Sequence, residues 1–160
     1  MASALTPAAR QMVERRLLGW GVAVAPLASG DCTRVDLAFE RGALVAVESR
    51  AALLQDLALV FCTGLGTDPL NMGTGFDGPR LVAEEDDPAM LSERLRAAAA
   101  LVPHGDPRVA RVVDVQLAAA VAEDERPGRA RPTRLVITTV FDLVTGERVD
   151  VSLGGVAIDG

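Results

Sequence analysis

The chain of 160 residues has no lysine and no tyrosine, one histidine, one tryptophan and two cysteines, and each shortage closes off a class of function. All 16 basic residues are arginine, which reflects a GC-rich coding bias and not an arginine-specific role. The net charge of −6 leaves no basic face of the kind that non-specific nucleic-acid binding requires. Trp20, Phe39, Phe61, Phe76 and Phe141 are the only aromatic side chains, too few for a base- or sugar-stacking platform. His104 alone cannot complete a His/Cys metal site. Cys32 and Cys62 lack CxxC spacing and are expected to be two reduced, buried thiols. No metal and no cofactor is expected. No apolar run approaches the roughly 20 residues that span a bilayer, and the N-terminus lacks the basic-then-apolar order of a signal peptide. These absences predict a cytoplasmic protein with no membrane partner.

What is present suffices for one ordinary globular domain, since 49% of the residues are apolar. Thr6-Pro7 reads as a helix start and Gly19 as its stop. Between them Ala9, Met12, Val13 and Leu17, with Trp20 beyond, follow helical spacing and form one apolar stripe. Such a stripe covers the domain's own sheet by default, or docks on a neighbour. Short β-like runs follow at Val22–Ala25, Arg34–Phe39 and Ala43–Val47, with a hairpin turn at Glu40-Arg41-Gly42. Ser49 caps a second helix reaching about Cys62, whose apolar face holds Leu53, Leu54, Leu57, Val60 and Phe61. Gln55 and Asp56 fall off that face.

Residues 63–78 form a glycine-rich loop, but the glycines follow a helix and there is no Gly-Lys-Ser/Thr. A surface loop pinned by Pro69 and Phe76 therefore fits better than a phosphate cradle. The acidic run Glu84-Glu85-Asp86-Asp87 precedes Pro88, where helix capping explains it. A third helix runs from Pro88 to about Val102, buried along Leu91, Leu95, Ala98 and Val102 and ended by Pro103 and Gly105. Beyond it, Val109, Val113, Val115 and Leu117 alternate with Ala110, Val112, Asp114 and Gln116 as a long strand. Residues 123–133 form a charged loop, residues 134–143 a second strand and residues 149–153 a short last one. The fold class is α+β, a small and mainly antiparallel sheet with helices packed on one side.

One turn stands apart. In Asp106-Pro107-Arg108 the proline fixes its own φ and biases Asp106 toward extended geometry, so the two charged side chains are presented from a stiff point. An arginine held this way forks onto carboxylates or backbone carbonyls.

The order of a capped helix ending near Thr63, the Gly66-to-Pro69 loop, Phe76-x-Gly78, an amphipathic helix, Asp106-Pro107-Arg108 and a β-meander resembles the GPW/gene-25-like baseplate wedge family of contractile phage tails and injection systems. The similarity covers roughly Ser49 to Leu153. It implies a wedge core over residues 49–160, with residues 1–48 contributing a helix and short strands to the same domain. Asp106 stands where the family has Glu, and Asp77 splits its Phe-Gly pair. The resemblance implies a structural adaptor present in several copies around a ring-shaped baseplate. Asp106, Pro107 and Arg108 would engage other wedge proteins. A terminal edge at Val149, Val151 and Leu153 would template the sheath subunit by strand addition. A competing reading, a peptidoglycan-cleaving lysozyme-like glycoside hydrolase, needs two facing carboxylates, and Glu84, Glu85 and Glu147 are its candidates. A nucleotide-binding regulator would rest on the glycine loop alone.

Overall fold

The computed structural model describes residues 6–26, 35–121 and 133–158, with side chains over 6–25, 35–118 and 135–152. Cys32 and the charged loop at 123–133, save Thr133, lie outside these residues. The order is α1 (Pro7–Leu18), β1 (Trp20–Val22), β2 (Val24–Pro26), β3 (Val35–Leu37), β4 (Phe39–Glu40), β5 (Ala43–Leu44), β6 (Ala46–Glu48), α2 (Ser49–Cys62), α3 (Gly78–Glu84), α4 (Pro88–His104), β7 (Val109–Val121), β8 (Thr133–Leu143) and β9 (Arg148–Ile158). It is a mixed α+β fold. Strands β7, β8 and β9 form an antiparallel meander in that spatial order.

α1 follows from its caps. Thr6 Oγ1 accepts the Ala9 N–H at 3.3 Å, Pro7 opens the first turn, and Gly19, at φ 84°, takes a left-handed conformation that few other residues adopt cheaply. The stripe of Met12, Val13 and Leu17 does not cover the sheet. α1 packs on α2 through Leu18, which is buried in the core, while Met12 remains 72% exposed. The periodicity was sound, but the helix turns its apolar stripe outward.

The short strands meet at a three-way junction. β1 pairs with β6, β2 with β3 and β4 with β5, all antiparallel. At the centre, Ala23 N–H donates to Val45 O, Val45 N–H to Ala38 O and Ala38 N–H to Ala23 O. The β4–β5 turn has positive φ at both Arg41 and Gly42, the primed geometry that a two-residue hairpin favours. Gln55 of α2 accepts the Val24 N–H and donates to Val22 O, at 2.9 and 2.8 Å, satisfying backbone groups beside the break between β1 and β2. A residue read as merely off the apolar face thus joins the helix to the junction.

α2 is the central helix of the core: Ala52, Leu53, Leu57 and Phe61 are buried. Its start is not capped by Ser49, which is the first helical residue and has φ 56°; Glu48 occupies the cap position without a side-chain bond. The Ser49 N–H instead donates to Gly19 O at 2.9 Å, fastening the start of α2 to the end of α1. Cys62 is exposed, not buried.

The glycine-rich loop is stitched to this helix. Phe76 N–H donates to Thr63 O and Leu65 N–H to Phe76 O, and the Phe76 ring meets Phe61 edge-on with centroids 5.4 Å apart. A Cβ on Gly78 would lie 2.1 Å from that ring, so the Phe76-x-Gly78 spacing is a packing requirement. α3 was not foreseen. It is a seven-residue helix opened by Asp77 with Pro79 near its start, and it supplies Leu81 to the core. Only one member of the acidic run caps α4: Asp87 accepts from the Ala89 and Met90 N–H groups. Glu84 and Glu85 pair with Arg80 and Arg94. α4 continues through the buried Pro103 to His104, two residues further than its apolar period suggested.

In the meander, Ile137, Thr139, Phe141, Leu143, Val149 and Val151 lie buried beneath α2 and α4 with Leu53, Leu57, Leu95 and Ala99. The other face is polar, with Arg111, Asp142, Arg148, Thr138 and Ser152 bonded across strands. Simple alternation fails at the start of β7. Bulges between Val109 and Arg111 and between Val112 and Asp114 shift the register, so Val112 pairs with Phe141 while Val113 is exposed.

One core position is costly. Thr139 is 0% exposed, and its Oγ1 has no hydrogen-bond partner, although a buried unsatisfied hydroxyl costs on the order of 1–3 kcal/mol. Thr139→Val keeps the shape and removes the orphan group. We expect stability to rise by about 1 kcal/mol, moving the thermal midpoint up about 2–4 °C. An unchanged or lower midpoint in a melting scan would show that the hydroxyl has a role in the fold.

Candidate functional site

The Asp106-Pro107-Arg108 turn forms because α4 runs out of donors. Pro103 has no N–H, and the chain closes with Gly105 N–H on Leu101 O, Asp106 N–H on Pro103 O and Val109 N–H on Asp106 O. Asp106 Oδ1 accepts the Arg108 backbone N–H at 2.9 Å, an Asx-type turn, and the same carboxylate takes Arg108 Nε and Nη2 at 2.9 and 2.7 Å. Arg108 Nη1 reaches away from the turn, to Leu18 O at 3.0 Å and Asp56 Oδ2 at 2.9 Å. Its backbone carbonyl accepts the Val144 N–H at 3.0 Å. One residue therefore joins the end of α1, the middle of α2, the end of α4 and the β8–β9 turn.

The electrostatics match the geometry. The Arg108 guanidinium faces the C-terminal end of α1, where helix carbonyls carry partial negative charge. Burial disfavours the Asp106 carboxylate, but the side-chain and backbone hydrogen bonds from Arg108 outweigh it and hold the group below the usual carboxylate range. Arg108 is raised, first by its hydrogen bonds to Asp106, then against burial by that to Asp56. A second acid, Asp142, is lowered to about 2 by hydrogen bonds from Arg148 and Arg111 on the open face of the meander.

Beside the turn lies a groove of about 670 Å³. Leu57, Val60, Leu81, Ala98 and Val102 give it an apolar lining, and the glycine loop and Asp106-Pro107 also line it. The Asp77–Arg80 pair and Arg94 supply its charge. Arg94 is itself held by Glu85 at 2.9 Å. This shape suits an apolar segment with a polar edge more than a small charged ligand.

The remaining sequence-based candidates are distributed as follows. Val149 and Val151 are buried in the core, so their side chains are not presented to a partner. The Leu143 N–H bond to Glu147 O sets the ladder such that Val149, Val151 and Leu153 spend their backbone groups on β8. The groups facing outward from β9 belong to the residues between them, Asp150 and Ser152, and no strand pairs with them among the described residues. Glu84 and Glu85 contact Arg80 and Arg94 separately, at 3.6 and 2.9 Å, and Glu147 contacts Arg50 at 2.9 Å. Among the described residues no group of three or more His, Cys, Asp or Glu is placed to hold a metal, and no helix is long and apolar enough to cross a membrane. Sequence reasoning missed Asp56 and the Leu18 carbonyl as partners of Arg108, and no local signal marks either.

No protein-family model, curated protein or solved structure matches the chain.

Arg108→Ala leaves two carboxylates and a helix-end carbonyl without their donor, and we expect a loss of about 3 kcal/mol in urea unfolding. Arg108→Lys should recover less than half, because a single ammonium cannot fork onto Asp106 while reaching Leu18. Since the folded Asp106 pKa is lowered, its stabilising contribution is complete above the unfolded carboxylate pKa, about 3.9, and is lost as pH falls through the folded value. The variants should therefore lose less stability than the parent on acidification below about pH 4. Equal acid sensitivity would contradict the assignment.

Proposed function

We propose that the protein is a structural wedge subunit of the baseplate of a contractile phage tail or injection system. It joins neighbouring wedge proteins at the Asp106-Pro107-Arg108 end and offers the β9 edge to the first ring of the sheath. The observation that carries this reading is the outer edge of β9. Its strand is fixed from below by buried Val149 and Val151, while exposed Asp150 and Ser152 direct backbone groups outward without a described strand partner. A rigid, open edge is a template for strand addition from another chain. The locked turn and the apolar groove beside it support the other half of the reading, a preorganised contact for a helical partner.

Arg108 acts in this scheme through the turn. Four of its N–H donors are engaged internally, one from Nε, two from Nη1 and one from Nη2. It holds Asp106 and Pro107 in place for a partner more than it reaches for one.

Asp150→Pro tests the sheath contact without cutting the core, because proline removes an N–H that the β8–β9 ladder does not use. The purified variant should melt within a few degrees of the parent. In the producing cells, electron microscopy of the isolated particles should show baseplates without sheath. Full-length sheaths on the variant would overturn the β9 assignment, and cells that make no contractile particle at all would overturn the wedge reading itself.

A further inference from the structure

The groove beside the Asp106-Pro107-Arg108 turn has a direction and one charged end. Arg94, Ala98, Leu101 and Gly105 line it from α4, with Leu57 and Val60 from α2. Residues three or four apart share a helix face, so the α4 contribution is a single stripe. From Arg94 to Gly105 that stripe runs roughly 16 Å, about three helical turns. Ala98 near its middle is small, which lets a second helix approach closely, and the Leu101 side chain is 67% exposed.

The charges that line this groove are unevenly presented. Arg94 pairs with Glu85, and Arg80 of α3, which also lines the groove, pairs with Asp77. Glu84 and Glu85 are neighbours in the chain and contact Arg80 and Arg94 respectively, so the two arginines sit at the same end. In each lining pair the arginine is the outer member: the Arg80 and Arg94 side chains are 60% and 41% exposed, against 17% for Asp77 and 20% for Glu85. Glu84 is half-exposed but lies outside the lining. Asp106, the other acid in the lining, is spent on Arg108. Arg94 gives Glu85 one bond from Nη1, and among the described residues its Nε and Nη2 donate to nothing. A segment entering at this end therefore meets guanidinium donors above an apolar floor, a setting that suits carboxylates. We infer that the groove takes an amphipathic helix of another polypeptide, about three turns long, with an aliphatic stripe laid along α4 and acidic residues at the end that reaches Arg80 and Arg94. This rests on the groove being a contact for a helical partner, and it adds the chemistry by which that partner is recognised.

The full-length protein would be titrated with fluorescein-labelled, stapled synthetic helices that carry leucines along one face. One peptide has glutamates in its first turn and a second has them in its last, and each has a counterpart with lysine at those positions. At about 0.15 M salt, fields beyond roughly 8 Å are screened, so the groups at the groove decide the preference. We expect fluorescence anisotropy to show saturable binding of a glutamate peptide, at least about tenfold tighter than its lysine counterpart. The chain's net charge of −6 would by itself favour lysine, so this preference is a local effect. Leu101→Ser should weaken binding by about tenfold, and Arg94→Glu should move the preference toward lysine. Both positions are exposed, and far-ultraviolet circular dichroism unchanged from the parent keeps loss of binding distinct from loss of fold. Equal or tighter binding of the lysine peptides would overturn the acidic end and leave the groove a helix site. No saturable binding of any peptide, or binding that Leu101→Ser leaves unchanged, would overturn the groove as a helix site as well. Self-association of the peptide-free protein in sedimentation, lost in Leu101→Ser, would assign the groove to a second copy instead. None of these outcomes touches the β9 edge, which the Asp150→Pro particles test separately.

Discussion

The contact on which the rest of this molecule depends is the hydrogen-bonded fork of Arg108. A guanidinium offers five donors in a rigid plane, and here that plane is placed where three distant pieces of chain converge. The end of α1 contributes a carbonyl, α2 contributes Asp56, and the turn itself contributes Asp106. Asp106, whose side chain is 15% exposed, would be expensive to leave unpaired, whereas the Asp56 side chain is 46% exposed and water can take up part of the loss. The requirement runs both ways: the turn needs Arg108 to hold the Asp106 carboxylate, and α1 needs it to satisfy the Leu18 carbonyl. Gly19 shares in the arrangement, since its φ of 84° is a backbone conformation that side chains rarely adopt.

Around that fork the fold separates what is fixed from what is open. The meander is fixed from one side by α2 and α4 through Phe141, Ile137 and Leu95, and its polar face is laced by Asp142 with Arg111 and Arg148. Among the described residues no strand pairs with the outer edge of β9, and the side chains of Trp20, Phe39 and Leu44 at the strand junction are exposed. Open backbone on a rigid strand and open aromatic surface on a small sheet are costly to solubility unless something covers them. The groove beside the turn adds a third such surface, lined by the glycine loop that Phe76 and Gly78 hold in shape.

Much of this was legible in the sequence, for identifiable reasons. α1, α2 and α4 were readable because Thr6-Pro7, the Leu53-to-Phe61 spacing and Pro88 with Asp87 are strong local signals, and the meander because its apolar runs are long. Elsewhere the local signal and the tertiary answer diverge. The Met12–Leu17 stripe has helical period, yet period alone does not say which way a helix faces. Val113 fits an alternating strand until two bulges move it outward, and bulges carry no reliable sequence mark at this site. Gln55 and Asp56 read as lying off the apolar face of α2, but one secures the strand junction and the other receives Arg108. The Asp106-Pro107-Arg108 turn was visible as a stiff acid-arginine pair, whereas its partners 52 and 90 residues away in the chain were not. The C-terminal strand is an edge of the described meander, as its position suggests, but the side-chain pattern points to Val149, Val151 and Leu153, while the backbone groups that face outward belong to Asp150 and Ser152.

The central claim, that Arg108 couples sequence-distant elements and does more than decorate a turn, is tested most directly by a double-mutant cycle. Arg108→Ala, Asp56→Ala and the double variant would be unfolded in urea at neutral pH beside the parent. If Arg108 joins α2 to the turn, the two substitutions should be non-additive, with a coupling of about 1 kcal/mol or more. Additive effects, with coupling below about 0.3 kcal/mol, would mean that the 2.9 Å contact carries no stability and that the turn is held by Asp106 alone.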